Sequence, residues 1–141
     1  MAASGQVVLV VEDDDLNMML CRDLLELHGC SVVQASDGRS GWQMAQRYRP
    51  DLIILDIQLP GLTGLEVVAR LKADKRLQAI PVIAFTALAM KGDEERFLRG
   101  GFDHYISKPI SVPDFLRTIE HILSINPHVP FSRQRDTVWR Q

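Results

Sequence analysis

The sequence predicts an open, doubly wound α/β sheet built as a single domain. Three observations carry that expectation. Short β-branched runs recur between longer segments of helical spacing. Those runs are continuously apolar rather than alternating, which suits strands covered on both faces. Strand and helix patterns then alternate five times along the chain. Strands joined by crossover helices imply a mostly parallel sheet with helices on both sides, and the right-handed crossover rule leaves few topologies.

The first strand is Val7-Val8-Leu9-Val10-Val11. Leu16, Leu20, Leu24 and Leu27 then repeat every three or four residues, the apolar face of a helix, and Gly29 sits where that helix should end. Ser31-Val32-Val33 is the second strand, followed by the turn Asp37-Gly38. Leu52-Ile53-Ile54-Leu55 is the third, followed by the turn Pro60-Gly61 and by the capping box Thr63-Gly64-Leu65-Glu66. Pro81-Val82-Ile83-Ala84-Phe85 is the fourth and His104-Tyr105-Ile106 a weaker fifth. Ser111 with Asp114 can cap the last helix, where Pro113 falls in the tolerated first turn. Its apolar positions are Val112, Phe115 or Leu116, Ile119, and Ile122 or Leu123. The division expected is an extension over 1–6, a domain over 7–125 and a partly disordered tail over 126–141, where Pro127 and Pro130 interrupt any periodicity.

Composition agrees with one soluble globular domain: 141 residues, 46% apolar, 24% charged, formal net charge −2. Such a chain can remove roughly two-thirds of its unfolded surface from water without disulfides or a structural metal. The near-neutral total argues against a dedicated nucleic-acid binder. The charge is uneven, with seven acids and one Arg in residues 1–38 against three Arg and one Asp in 125–141. Cys21 and Cys30 form no Cys-x-x-Cys and have no His at ligand spacing, so they read as buried thiols in a reducing cytosol. The start is too short and polar for a signal sequence, and no apolar run approaches the roughly 18 residues a membrane span needs. A cytoplasmic protein without membrane attachment is the expectation.

In open α/β sheets functional groups gather at the carboxyl ends of the strands. Those ends carry Glu12-Asp13-Asp14-Asp15, Asp56, Thr86-Ala87 and Ser107-Lys108-Pro109. Taken alone, the acidic turn reads as a solvated helix N-terminus favoured by the helix dipole, and a lone Thr or Lys as structural. Their joint placement on four strand ends points instead to a site. Converging carboxylates resist ionisation unless something positive sits among them. Mg²⁺ (or Mn²⁺) fits, with Asp13 and Asp56 as direct ligands, the Gln58 carbonyl as a third and Glu12 through a water. Lys108 adds a fixed charge. Metal and ammonium beside a carboxylate and a hydroxyl suit phosphoryl transfer, with Asp56 as the nucleophile forming an aspartyl phosphate.

At these residues the chain resembles the receiver domains of bacterial two-component response regulators, across about residues 7–125. The matching segments are Val10-Val11-Glu12-Asp13-Asp14, Asp51 through Gly61, Phe85-Thr86-Ala87 and Tyr105-Ile106-Ser107-Lys108-Pro109. The stretch Thr86 through Arg96 and the layout further resemble the DivK-type stand-alone receivers of alphaproteobacteria. The resemblance implies a flavodoxin-like, three-layer (βα)5 fold with sheet order 2-1-3-4-5. It implies Asp56 as phosphoacceptor, Glu12 and Asp13 as the acidic Mg²⁺ pocket, Thr86 as switch hydroxyl, Tyr105 as switch aromatic and Lys108 as phosphoryl-binding lysine, with a cis Lys108-Pro109 bond. Glu12 departs from the commoner Asp, which bears on metal affinity.

A histidine kinase or phosphotransfer protein would then supply the phosphoryl group, in a signalling domain rather than an enzyme. Thr86 would move toward the phosphoryl group, Tyr105 would turn inward, and the face of helix four, strand five and helix five, including Met90, Phe97, Tyr105 and Phe115, would bind a protein target. Gln58 and Leu88, two residues beyond Asp56 and Thr86, would set the phosphoryl lifetime, with apolar Leu88 slowing water entry. The short stretch after the last helix leaves no room for an output domain, and Met1-Ala2-Ala3-Ser4 reads as a native start, which favours a stand-alone regulator over a receiver excised from a hybrid kinase. Two rivals are weaker. A haloacid-dehalogenase-type phosphatase would use Asp13 as nucleophile but needs a further acidic pair, and a flavin-binding module would need a Gly/Ser/Thr-rich phosphate cradle where four carboxylates stand.

Overall fold

The computed structural model describes residues 5–87 and 92–125. Strand and helix alternate throughout: β1 (Val7–Val11), α1 (Asp15–Leu27), β2 (Ser31–Ala35), α2 (Gly38–Tyr48), β3 (Leu52–Asp56), α3 (Gly64–Ala73), β4 (Val82–Thr86), α4 (Asp93–Arg99), β5 (His104–Ser107) and α5 (Val112–Ile125). All strand pairs are parallel and the sheet order is β2-β1-β3-β4-β5. This is the flavodoxin-like order, in which the chain reverses direction across the sheet between β1 and β3. The crevice above the carboxyl ends of those two strands is therefore where such a sheet offers a site.

Successive strand residues point to opposite faces, so the core is split in two. Val8 and Val10 of β1 pack on one side with Met18, Cys21 and Leu25 of α1 and Phe115, Ile119 and Ile122 of α5. Leu9 and Val11 pack on the other with Ala45 of α2, Val67 and Leu71 of α3, and Phe97 of α4. Coverage of both faces is why the strands read as unbroken apolar runs. β3 and β4 are buried along their whole length, and both reach one residue further than the apolar run, to Asp56 and Thr86.

Local signals in the sequence set several helix boundaries. Gly29, at φ 89°, closes α1: its N–H meets the Glu26 carbonyl at 3.0 Å and that of Cys30 meets Leu25 at 3.1 Å. Thr63 and Glu66 form the reciprocal capping box of α3, with contacts of 3.2 and 2.9 Å. Asp37 proves to be the N-cap of α2, its carboxylate accepting from the Ser40 N–H at 2.7 Å, so the Asp37-Gly38 pair opens a helix rather than forming a free turn.

The apolar face assigned to α1 is corrected in part. Leu24 packs half-buried against the core, but Leu16, Leu20 and Leu27 are 59%, 36% and 80% exposed, whereas Met18, Cys21 and Leu25 face the sheet. The helix is apolar on two sides, so periodicity identifies it as a helix without fixing its rotation. Cys21 and Cys30 are buried and unpaired, and burial, with the charges of Glu12 and Asp51 respectively adding to it, raises their thiols to about 12 and about 11. Among the described residues no helix is long and apolar enough to cross a membrane. Leu88, Met90 and the segment 126–141 lie outside the described residues.

Candidate functional site

Strand register brings the chemistry together. Val11 pairs with Leu55, so Glu12, one step beyond, is level with Asp56 at the end of β3. Asp56 lies opposite Phe85, with Thr86 one residue further, and Thr86 lies opposite Ser107, which precedes Lys108. The Lys108 N–H donates to the Thr86 carbonyl at 2.8 Å, and the Lys108-Pro109 bond is cis. The Glu12 N–H donates to the Ala35 carbonyl of β2 at 3.0 Å, which carries the strand pairing one residue past β1.

The centre of the site is a carboxylate pair bridged by one cation. The Lys108 ammonium lies 2.9 Å from Asp56 Oδ2 and 2.8 Å from Glu12 Oε1. Asp56 Oδ1 accepts the Gln58 N–H at 3.0 Å, and Glu12 Oε2 accepts that of Asp14 at 3.0 Å. Glu12 and Asp56 are only 2% and 3% exposed, and Thr86 is fully buried. Carboxylate oxygens of Glu12, Asp13 and Asp56 fall within 4.8 Å of one another.

Electrostatics follow from burial. Glu12 is pushed up to about 7, chiefly because desolvation disfavours its charged form, with the Lys108 and Asp14 hydrogen bonds opposing and the Asp56 charge adding to it. Burial acts to lower the Lys108 ammonium, but its hydrogen bonds to Glu12 and Asp56 and their charges outweigh it, and it stays above the ordinary lysine range. Glu12 Oε1 is buried against the Lys108 ammonium at 2.8 Å. An acceptor so placed beside two further carboxylates matches the all-oxygen donor set of Mg²⁺.

The acidic run divides by role. Glu12 and Asp13 face the cluster, whereas Asp14 is the N-cap of α1, accepting from the Asn17 N–H at 2.8 Å, and Asp15 lies in the first turn. The run is thus half pocket and half helix start, not four carboxylates around a cation. Tyr105 is half-buried beside Phe97, with ring centroids 5.9 Å apart, and its phenol is raised by burial and then by the charges of Glu94 and Asp93.

The aromatic residues assigned to a binding face are also corrected. Phe97 and Phe115 are both fully buried, in the cores on opposite sides of the sheet. Large rings on helices seated against a sheet bury more apolar area inward than outward. Among the described residues, Leu98 and Val112, each 44% exposed, are large apolar side chains that α4 and α5 turn to solvent.

Two contributors have roles that the sequence does not assign. The Ala35 carbonyl acts through its backbone alone. Phe85 belongs to the matching Phe85-Thr86-Ala87 segment without a role of its own there, yet the Lys108 ammonium sits 4.8 Å from its ring centroid.

Comparison with known proteins agrees with this geometry. The sequence pattern of the response regulator receiver domain matches residues 8–120. The polar-differentiation response regulator DivK of Brucella anthropi is 54% identical over 116 residues, covering 82% of this chain and 94% of that protein, and its Brucella ovis counterpart is 53% identical. Among solved structures, the receiver domain of the sensor histidine kinase PA1611 of Pseudomonas aeruginosa, with a magnesium ion in its active-site cleft, is similar at TM-score 0.77 and 32% identity. It covers 84% of this chain and 97% of its own. The receiver domain of a histidine kinase from Syntrophus aciditrophicus reaches TM-score 0.81 at 29% identity, covering 89% and 96%. On the sequence match, the sheet order and the acidic cleft together, this chain belongs to the response regulator receiver domains.

Proposed function

We propose that Asp56 accepts a phosphoryl group from the phosphohistidine of a histidine kinase or phosphotransfer protein, and that the chain signals in the cytoplasm as a stand-alone regulator by phosphorylation-dependent protein binding. The observation that carries this reading is Asp56 itself, buried at the end of a central strand, with a lysine ammonium on one oxygen and a backbone N–H on the other. An Asp56 oxygen attacks phosphorus as the P–N bond breaks and the imidazole leaves. Lys108 is placed to neutralise the charge spread over the phosphoryl oxygens. Glu12, Asp13, Asp56 and the Gln58 carbonyl would hold Mg²⁺ (or Mn²⁺), which when bound supplies further positive charge at the same oxygens.

Phosphorylation adds close to two negative charges and three strong acceptors, to which the Thr86 hydroxyl would move. Tyr105 would follow, biasing the surface of α4, β5 and α5 toward a protein target. Gln58 and Leu88 would set how fast water removes the group, giving slow autodephosphorylation.

Incubation with acetyl phosphate and Mg²⁺, followed by mass mapping, tests the assignment. One phosphoryl group is expected on Asp56 and none on Asp56→Asn. Modification of Asp13 in its place would replace the phosphoacceptor reading with the haloacid-dehalogenase one. A pulldown comparing wild type, Asp56→Asn and Asp56→Glu tests the output, and identical partner sets would overturn phosphorylation-dependent binding.

A further inference from the structure

We propose that Phe85 is a positioning residue for Lys108, its ring face holding the ammonium over the Asp56–Glu12 pair. Lysine carries a point charge on a flexible four-carbon stem, and fixing it costs rotamer entropy. Two carboxylates set how far the charge sits from each of them, at 2.9 and 2.8 Å. They do not set the side from which it approaches. The Phe85 ring supplies a third contact, with Nζ over its face at 4.8 Å from the centroid.

The ring is itself held by packing. Phe85 is fully buried in the core shared by Ile83, Ile106 and Phe115. The next residue, Thr86, accepts the Lys108 N–H at 2.8 Å, which tethers the lysine main chain to the strand bearing the ring. The lysine side chain is only 15% exposed, so little water remains to solvate its charge. The negative face of an aromatic ring compensates a desolvated cation, whereas an aliphatic side chain of similar volume does not.

The inference rests on Asp56 being the phosphoacceptor. During that reaction the charge on Asp56 changes, while the Phe85 face does not. Phe85 therefore keeps the ammonium within reach of the incoming phosphoryl group as its carboxylate partner is consumed.

Incorporation of 4-fluoro-, 3,5-difluoro- and 3,4,5-trifluorophenylalanine at position 85 weakens the ring's negative face while nearly preserving its shape. The rate of phosphorylation by acetyl phosphate should fall stepwise along the series, by about fivefold in all, and Phe85→Leu should be at least as slow. In the metal-free protein the Lys108 ammonium protons, observed by ¹⁵N-edited NMR, should be shifted upfield by the ring and lose that shift in Phe85→Leu. A flat rate across the fluorinated series, with only Phe85→Leu slow, would reduce Phe85 to packing and overturn the proposal. If wild type takes no phosphoryl group on Asp56 the functional reading fails instead, and an ammonium signal unchanged in Phe85→Leu then overturns the positioning role independently.

Discussion

Glu12 sets the terms of the site at the scale of single residues. Its side chain is wholly out of solvent, beside Asp56 and against Lys108, and its carboxyl stands near 7 instead of 4.5. The folded metal-free protein therefore holds a proton on Glu12, between about pH 4.5 and about 7, that the unfolded chain has released. Stability from this group is fully present below the lower value and is lost as pH rises through the upper one. Urea melts in EDTA should show wild type losing stability over that window relative to Glu12→Gln; parallel pH profiles would remove Glu12 as the cause. The residues themselves were legible in the sequence, since Glu12, Asp13, Asp56, Thr86 and Lys108 all stand at strand ends in chain order. Glu12 and Asp13 were legible as the pocket as well; what was not is that the third member of Glu-Asp-Asp-Asp caps α1.

At the scale of elements, α1 shows what periodicity can and cannot do. Its leucines recur at helical spacing, yet Leu27 is 80% exposed and Leu25 only 1%. Leu25→Ala should cost roughly 2–5 kcal/mol, while Leu27→Ala should fall within about 0.5 kcal/mol of wild type. Thermal or chemical denaturation of the two variants decides between the rotations, and equal losses would contradict the packing described here. The start of α3 and the end of α1 were readable because caps are local chemistry: the Thr63–Glu66 box and Gly29 each act within a few residues. The inward turn of Phe97 and Phe115 was not, because a helix residue's burial depends on the sheet it meets.

The whole molecule places its acids where they repel. Glu12, Asp13 and Asp56 converge on one crevice, with Lys108 the cation bridging Glu12 and Asp56. A cation bound there should stabilise the fold by mass action, by about 2.7 kcal/mol at a hundred times its dissociation constant. Mg²⁺ should thus raise the melting temperature of wild type but not of Asp13→Asn, and in EDTA Asp13→Asn should be as stable as wild type or more so, having lost one repelling charge. A wild-type melting temperature indifferent to Mg²⁺ would sink the metal assignment.

The sequence by itself determined the alternation of strands and helices, the parallel sheet and the residues at its carboxyl edge, because these depend on local periodicity and on a chain that must cross over between strands. Only the tertiary structure decided which face of α1 is buried, that Lys108 bridges Glu12 and Asp56, and that Phe85 lies under Lys108. Each of those is a contact between residues far apart in the chain, fixed by strand register and packing, and no single segment carries it.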